Sequence, residues 1–332
     1  MRAVVITKHG APEVLEVRQW PDPQPGPRDV LIDVRAAGVN FADVMARMGL
    51  YQAAPPPPCV VGYEVAGTVA GVGAAVTTVG VGDRVMAGTR FGGYAERAAT
   101  HEENVVRLPD SMSFEQGAAV PVNYVTAAAG LLLYGNLQRG ERVLIHAAAG
   151  GVGIAATQIA KRYGAEVFGT ASPGKHAALR RLGVDHPIDY TRPGWERGLP
   201  PFDLVMDAIG GPSFRTSYGL LRAGGRLVCF GASAVVGGET RNLLTVLRTV
   251  LRMPRFNPIK LMDHSKTVIG LNLLTLWDDR GTLGSLVRAV RELVDDGTVQ
   301  PVVAQSYPFD RAADGHRLLS TRGNTGKVVL HP

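Results

Sequence analysis

His146-Ala-Ala-Ala-Gly-Gly-Val-Gly153 is the stretch from which the fold of this chain is read. Set against the pattern Gly-x-Gly-x-x-Gly, Ala148 stands at the first glycine position, Gly150 at the second and Gly153 at the third. The second glycine lets backbone approach a pyrophosphate, and the third lets a helix pack closely on the strand before it. A glycine fingerprint needs its context. Here Arg142–Ala147 reads as a short apolar strand, Val152–Tyr163 has helical spacing of apolar residues, and Glu166–Ala171 reads as a strand again. A helix opened in this way aims its first N–H groups at an anion. A plain glycine turn is the competing explanation, and it does not account for that setting.

Outward from the loop, the end of the second strand reads Gly169-Thr-Ala-Ser-Pro-Gly-Lys175. A site for NADH places an acid there for the ribose 2′-OH. None is present, whereas Ser172 and Lys175 are suited to hydrogen-bond and neutralise a 2′-phosphate, so NADPH is expected over NADH. Lys175 also reads as a surface lysine of the next helix, Lys175–Leu182. A strand at Phe202–Ala208, a helix at Ser213–Leu221 and a strand at Arg226–Phe230 follow. Alternating strand and helix with short connectors means βαβ units and a parallel sheet. The first 120 residues or so differ: short alternating runs (Ala3–Ile6, Val30–Val34, Val65–Val72) are separated by Gly, Pro and Asp turns. The expected fold is therefore α/β, a Rossmann-type doubly wound parallel sheet over 124–264 with a β-rich unit over 1–123. The tail, 265–332, is expected to complete the β-rich unit.

Between them, 240–260 mixes apolar residues with Arg241, Arg248, Arg252, Arg255 and Lys260, and Pro254 and Pro258 end any helix. This insert suits an anionic membrane surface, a lid over a pocket or a dimer surface.

The 332 residues fit two domains, and 45% hydrophobic with 19% charged residues is ordinary for a chain with a real core. The net charge of +6 comes from scattered arginines rather than a dense run, which points to a solvated surface and away from nucleic acid. Two cysteines, Cys59 and Cys229, build no disulfide framework and fit a reducing cytoplasm. The N-terminal run lacks a signal h-region. No apolar run is read as long enough to span a bilayer.

Several segments together resemble the zinc-independent quinone oxidoreductases of the medium-chain dehydrogenase/reductase superfamily. They are Gly38-Val-Asn-Phe-Ala-Asp43, Gly62-Tyr-Glu-Val-Ala-Gly-Thr-Val69, Val81-Gly-Asp-Arg-Val85, Gly92-Gly-Tyr-Ala-Glu96, the glycine loop, Gly224-Gly-Arg226 and Gly326-Lys-Val-Val-Leu330. Gly270-Leu-Asn-Leu-Leu-Thr-Leu-Trp277 and the basic insert resemble the vesicle amine transport protein-like branch. The resemblance implies a GroES-like β-rich domain and an NADPH 2′-phosphate held by Lys175, Tyr190 and Arg322. It places Asn123, Thr126, Phe230, Gly231, Ala232 and Asn272 on the nicotinamide side, with Ala149, Gly150, Gly151, Val152 and Gly153 as the phosphate loop. It also implies a homodimer joined edge to edge near Arg226–Phe230.

Zinc-dependent relatives carry Cys and His where this chain has Asn40 and Tyr63, and two distant cysteines supply no thiolate shell, so no metal is expected. Without a metal to hold an alkoxide, the expected acceptors are quinones or α,β-unsaturated carbonyls, whose charge delocalises. Asn40, Asp43, Tyr51 and Tyr63 are the pocket candidates. Asn40 and Tyr51 are read as donors to the acceptor oxygen, Asp43 as a ribose or turn residue, and Tyr63 as a filler of the vacated metal position. Met45, where relatives often carry Tyr, implies a more apolar mouth. Two other functions stay open: a membrane- or lipid-associated transport or trafficking factor that binds NADPH, and an enoyl-thioester reductase.

Overall fold

Val143, Leu144 and Ile145 are wholly buried, which is why so short a run serves as a central strand. A computed structural model describes residues 1–332 and places Arg142–Ile145 inside a six-stranded sheet. In spatial order the strands are His186–Asp189, Glu166–Ala171, Arg142–Ile145, Phe202–Asp207, Leu221–Cys229 and Thr267–Gly270, all parallel. Counted along the chain this is the order 3-2-1-4-5-6 of dinucleotide-binding sheets, with its switch point beside Arg142–Ile145. The glycine loop leaves the carboxyl end of that strand and opens the helix Gly151–Arg162.

The β-rich unit is a seven-stranded sheet organised on Asp29–Val39. This strand pairs with Glu64–Val72 along one edge, and with Arg97–His101 and then Lys327–His331 along the other. Register shifts at Leu31/Ile32 and Val34/Ala36 let one long strand bend to meet three partners. The tail enters through Val303–Pro308, parallel to Lys327–His331.

Three expectations need correction. The tail does not turn back at 265, because Thr267–Gly270 is the sixth strand of the parallel sheet. Only from Val303 does the chain join the β-rich sheet. The strand at Leu221–Cys229 is interior, so an edge-to-edge contact there is closed off, and the sheet's edges are His186–Asp189 and, next to Leu221–Cys229, Thr267–Gly270. Finally, Phe114–Leu133 is a 20-residue helical run apolar and long enough to cross a membrane, although none was read from the sequence. Its burial in the core explains that composition: Tyr124, Ala127, Ala129 and Leu131 are inaccessible or nearly so.

The two sheets share one core. It runs from Ala36, Ala66 and Met86, through the helix Pro121–Ala128, to Val143 and Ile145 and on to the helix Gly284–Asp295. That last helix buries Leu286, Val287, Val290, Leu293 and Val294 on one face, the spacing of an amphipathic helix.

Candidate active site

Between the two units lies a cleft of about 900 Å³, lined by the glycine loop, the ends of the parallel strands and the β-rich sheet. The loop's glycines divide the work. A Cβ on Gly153 would fall 2.4 Å from the Ala147 carbonyl oxygen and 2.6 Å from Ala148 Cα, so this glycine permits the close helix packing. A Cβ on Gly150 would meet only Ala147 O at 3.3 Å, leaving its cleft side open for a ligand. On Gly151 it would strike Asn123 Nδ2 at 2.4 Å. The left-handed turn belongs to Ala147, with φ of 52°, not to a glycine. The Gly326 N–H donates to Ala149 O at 2.8 Å, which ties the tail to the loop.

Beneath the loop, the buried His146 links Thr170 Oγ1 (Nδ1, 3.2 Å) to Ser217 Oγ (Nε2, 3.0 Å), and Ser217 donates to Asp207 at 2.7 Å. Asp207 also accepts the Ile209 and Gly210 N–H groups, so this network braces three strand ends. Burial holds His146 below its ordinary pKa.

At one end of the cleft, Ser172, Lys175, Tyr190 and Arg322 come together, although three separate segments supply them. Lys175 Nζ donates to the Arg322 carbonyl at 2.8 Å and to the Asn324 carbonyl at 2.5 Å, which leaves one hydrogen for a further acceptor. Partial burial lowers its pKa. Arg322 has φ of 57° and reaches Ser233 O at 3.4 Å. The middle of the cleft is lined by Ala149, Gly150, Gly151, Val152 and Gly153, with Phe230, Gly231 and Ala232 opposite.

The other end holds Asn40, Asn123, Thr126, Tyr51, Tyr63 and Asn272, but several are not free to act as the sequence suggested. Asn40 Nδ2 donates to Glu64 Oε1 at 3.0 Å and faces Gly38 O at 3.4 Å, while its Oδ1 accepts from Lys327 Nζ at 2.6 Å. Its amide is consumed, so it is not a donor to an acceptor molecule. Asp43 is wholly buried and off the cleft wall. It accepts from Asn40 N at 2.8 Å, Gly62 N at 3.0 Å and Tyr94 OH at 2.9 Å, closing a capping box on the helix Phe41–Arg47. Burial pushes its carboxyl up to about 7 against those bonds. Of its two expected roles, the structure gives it the turn. Asn272 caps the helix Leu273–Arg280, and Tyr51 OH reaches its Oδ1 at 3.5 Å. Tyr63 packs edge-on to Tyr51 and against Phe91, with its hydroxyl sealed and unpaired. That is the environment of a space-filling ring, and burial raises its pKa strongly.

Reading by sequence missed Lys327, Glu64 and Asn324. Lys327 lines the cleft and pairs with the buried Glu64. Both stood in quoted motifs, yet nothing local marks two residues so far apart as partners. Nor does any residue of the insert 240–260 line the cleft, which removes the lid reading. Its helices, Leu243–Leu251 and Pro258–His264, lie on the surface.

No three His, Cys, Asp or Glu side chains converge as a metal shell, so the residues present do not fit a zinc centre. Asn40 and Tyr63 instead belong to the amide network and the aromatic packing just described.

Two family profiles match the chain: "Alcohol dehydrogenase GroES-like domain" over residues 26–110 and "Zinc-binding dehydrogenase" over 182–330. The human synaptic vesicle membrane protein VAT-1 homolog is 36% identical, covering 100% of this chain and 86% of that protein. Pig (Sus scrofa) quinone oxidoreductase is 32% identical, covering 99% and 97%. Among solved structures, Escherichia coli quinone oxidoreductase complexed with NADPH superposes with a TM-score of 0.85 at 28% identity, covering 100% of both chains.

Proposed function

The chain belongs to the medium-chain dehydrogenase/reductase superfamily, in the branch of the quinone oxidoreductases and VAT-1 homologues, and from that premise we propose an NADPH-dependent, zinc-independent reductase of quinones or α,β-unsaturated carbonyls. One observation carries this reading. The same cleft gathers Ser172, Lys175, Tyr190 and Arg322 at one end and lacks a metal-ligand set at the other.

NADPH, when bound, supplies a hydride and leaves as NADP⁺. The chain's part is to place and enclose it. Lys175 and Arg322 offer two cations to a 2′-phosphate, and the start of Gly151–Arg162 offers N–H groups to the diphosphate. Val120, Leu271, Leu283, Val287 and Trp277 make the acceptor's side apolar. Such a wall excludes water and favours an acceptor that spreads its own charge, with solvent supplying the proton. Orientation of acceptor against nicotinamide is then the main source of rate.

The test is the initial rate of NADPH oxidation over a panel of quinones and enones, with NADH and a chelator as controls. Chelator-insensitive turnover that prefers NADPH is expected. Arg322→Ala should reduce that preference roughly tenfold, the loss of one charge-assisted phosphate contact. Equal use of NADH by the parent enzyme would defeat the cofactor assignment.

A second reading rests on the surface of the insert. Leu243, Leu244, Leu247, Val250, Leu251, Ile259 and Met262 are exposed together with Arg248, Arg252 and Lys260. Apolar and basic groups so mixed suit a lipid-associated transport or trafficking factor that binds NADPH. Absence of co-sedimentation with anionic vesicles at moderate salt would remove it. The intended setting for either reading is the cytoplasm.

A further inference from the structure

Beside the glycine loop the cleft holds an ion pair whose two members face different ways. Lys327 lines the cavity, with 4% of its side chain exposed, whereas Glu64 lies wholly buried behind it. The ammonium touches Glu64 Oε1, donates to Asn40 Oδ1 at 2.6 Å and approaches Asn123 Oδ1 at 3.5 Å. Each partner is pinned in turn. Glu64 Oε2 accepts the Val122 N–H at 2.7 Å, and Asn123 Nδ2 donates to Ala119 O at 2.8 Å. Gly38 makes room for the pair, since a Cβ there would fall 2.6 Å from Glu64 Oε1 and 2.7 Å from Lys327 Cε.

Mere filling of a core does not call for this pair, because apolar residues of similar size avoid the desolvation of two charges. With the cation in front and the carboxylate behind, the cavity meets a positive potential through a medium that screens little. The location gives that potential a target. Asn123 stands against Gly151, and Gly326 bonds Ala149, so Lys327 sits directly beside the glycine loop, where a dinucleotide held on that loop passes from diphosphate to nicotinamide.

We propose, on the premise that the cleft takes NADPH, that Lys327 sets the redox preference of the site. Its charge favours the neutral reduced ring and disfavours the pyridinium of NADP⁺. Hydride transfer moves two electrons and a hydrogen nucleus to the acceptor and leaves the ring cationic, so the product is the form held less well. Lys327 gives up no proton in this step. It acts as a positioning residue, by charge, and Glu64 sets how much of that charge the cavity feels.

Dissociation constants for NADPH and NADP⁺ are measured by titration calorimetry on the full chain, on Glu64→Gln and on Glu64→Gln/Lys327→Met. Removing the carboxylate alone unmasks the cation, and the preference for NADPH rises about tenfold. Removing both charges lowers it several-fold below the parent value. Opposite shifts are the supporting result. A preference unchanged in Glu64→Gln overturns the proposal, even where the double variant fails to fold. So does a shift in the same direction in both variants. A pair that only braces the fold, or that binds the diphosphate, changes both affinities alike. Failure of the parent chain to bind NADPH at all is a separate result, which removes the cofactor premise.

Discussion

His316 shows how much a single residue's setting decides. It is wholly buried beside Tyr94, with Nε2 3.5 Å from the tyrosine hydroxyl and Nδ1 unpaired. Burial, and then the Arg47 charge, push its pKa from 6.5 down to about 3. The folded protein therefore keeps it neutral while the unfolded chain takes up a proton below 6.5. Its contribution is complete above that pH and is lost progressively as pH falls toward 3. Between pH 7 and pH 5 its own contribution falls by about 2 kcal/mol, read as the difference between the parent and His316→Gln in denaturant midpoints, because Asp43, raised to about 7, shifts both proteins the other way over the same range. An unchanged slope in the variant would assign the acid sensitivity to other groups. Asp43 allows a second test. All three of its partners are donors, so Asp43→Asn turns an amide N–H toward another N–H or O–H and should cost about 1–3 kcal/mol. Neither environment is legible locally, because Tyr94 and Gly62 reach these side chains only through the fold.

At the scale of elements, periodicity and turn chemistry carried far. The helices Gly151–Arg162, His176–Arg181 and Ser213–Gly219 lie within a residue or two of the spans read from apolar spacing. Gly284–Asp295 buries one face, but nothing in its own residues names the partner. It packs across the helix Pro121–Ala128 in the core common to both sheets. Leu293→Ala should therefore cost about 2–5 kcal/mol in equilibrium unfolding, far more than a solvent-facing change on the same helix such as Arg288→Ala. Similar losses from the two variants would mean the helix is docked more loosely than its burial indicates. Thr267–Gly270 marks the limit of local reading. A four-residue strand belongs equally well to either sheet by composition, and only pairing with Arg226–Cys229 decides.

At the scale of the whole molecule, the cleft is closed by contacts that cross between units. Arg90 pairs with Asp278 at 2.6 Å, and Arg47 Nη1 donates to Glu239 O at 3.1 Å. The common core adds to them, so the two units should unfold in one transition. A ligand bound in the cleft at a hundred times its Kd should raise stability by about 2.7 kcal/mol. Calorimetric scans with and without NADPH check this, and two separated transitions would contradict a shared core. If the chain forms the homodimer that its resemblance implies, the edge strand Thr267–Gly270, next to Leu221–Cys229, is the expected contact, since an unpaired strand invites another. Sedimentation as a monomer at micromolar concentration would exclude it.

The residues alone determined the glycine loop between strand and helix, the βαβ rhythm and with them the doubly wound α/β class. Each of these depends on identities close together in the chain, where backbone sterics and charge act directly. Only the tertiary structure decided that Asn40 is spent on Glu64 and Lys327, that Asp43 caps a helix, and that the insert stays off the cleft. It also decided where the chain turns back to its first sheet. These outcomes depend on which distant donors meet which acceptors and on what is sealed from water. Such pairings are set when the sheets pack, and no short stretch of sequence contains both partners.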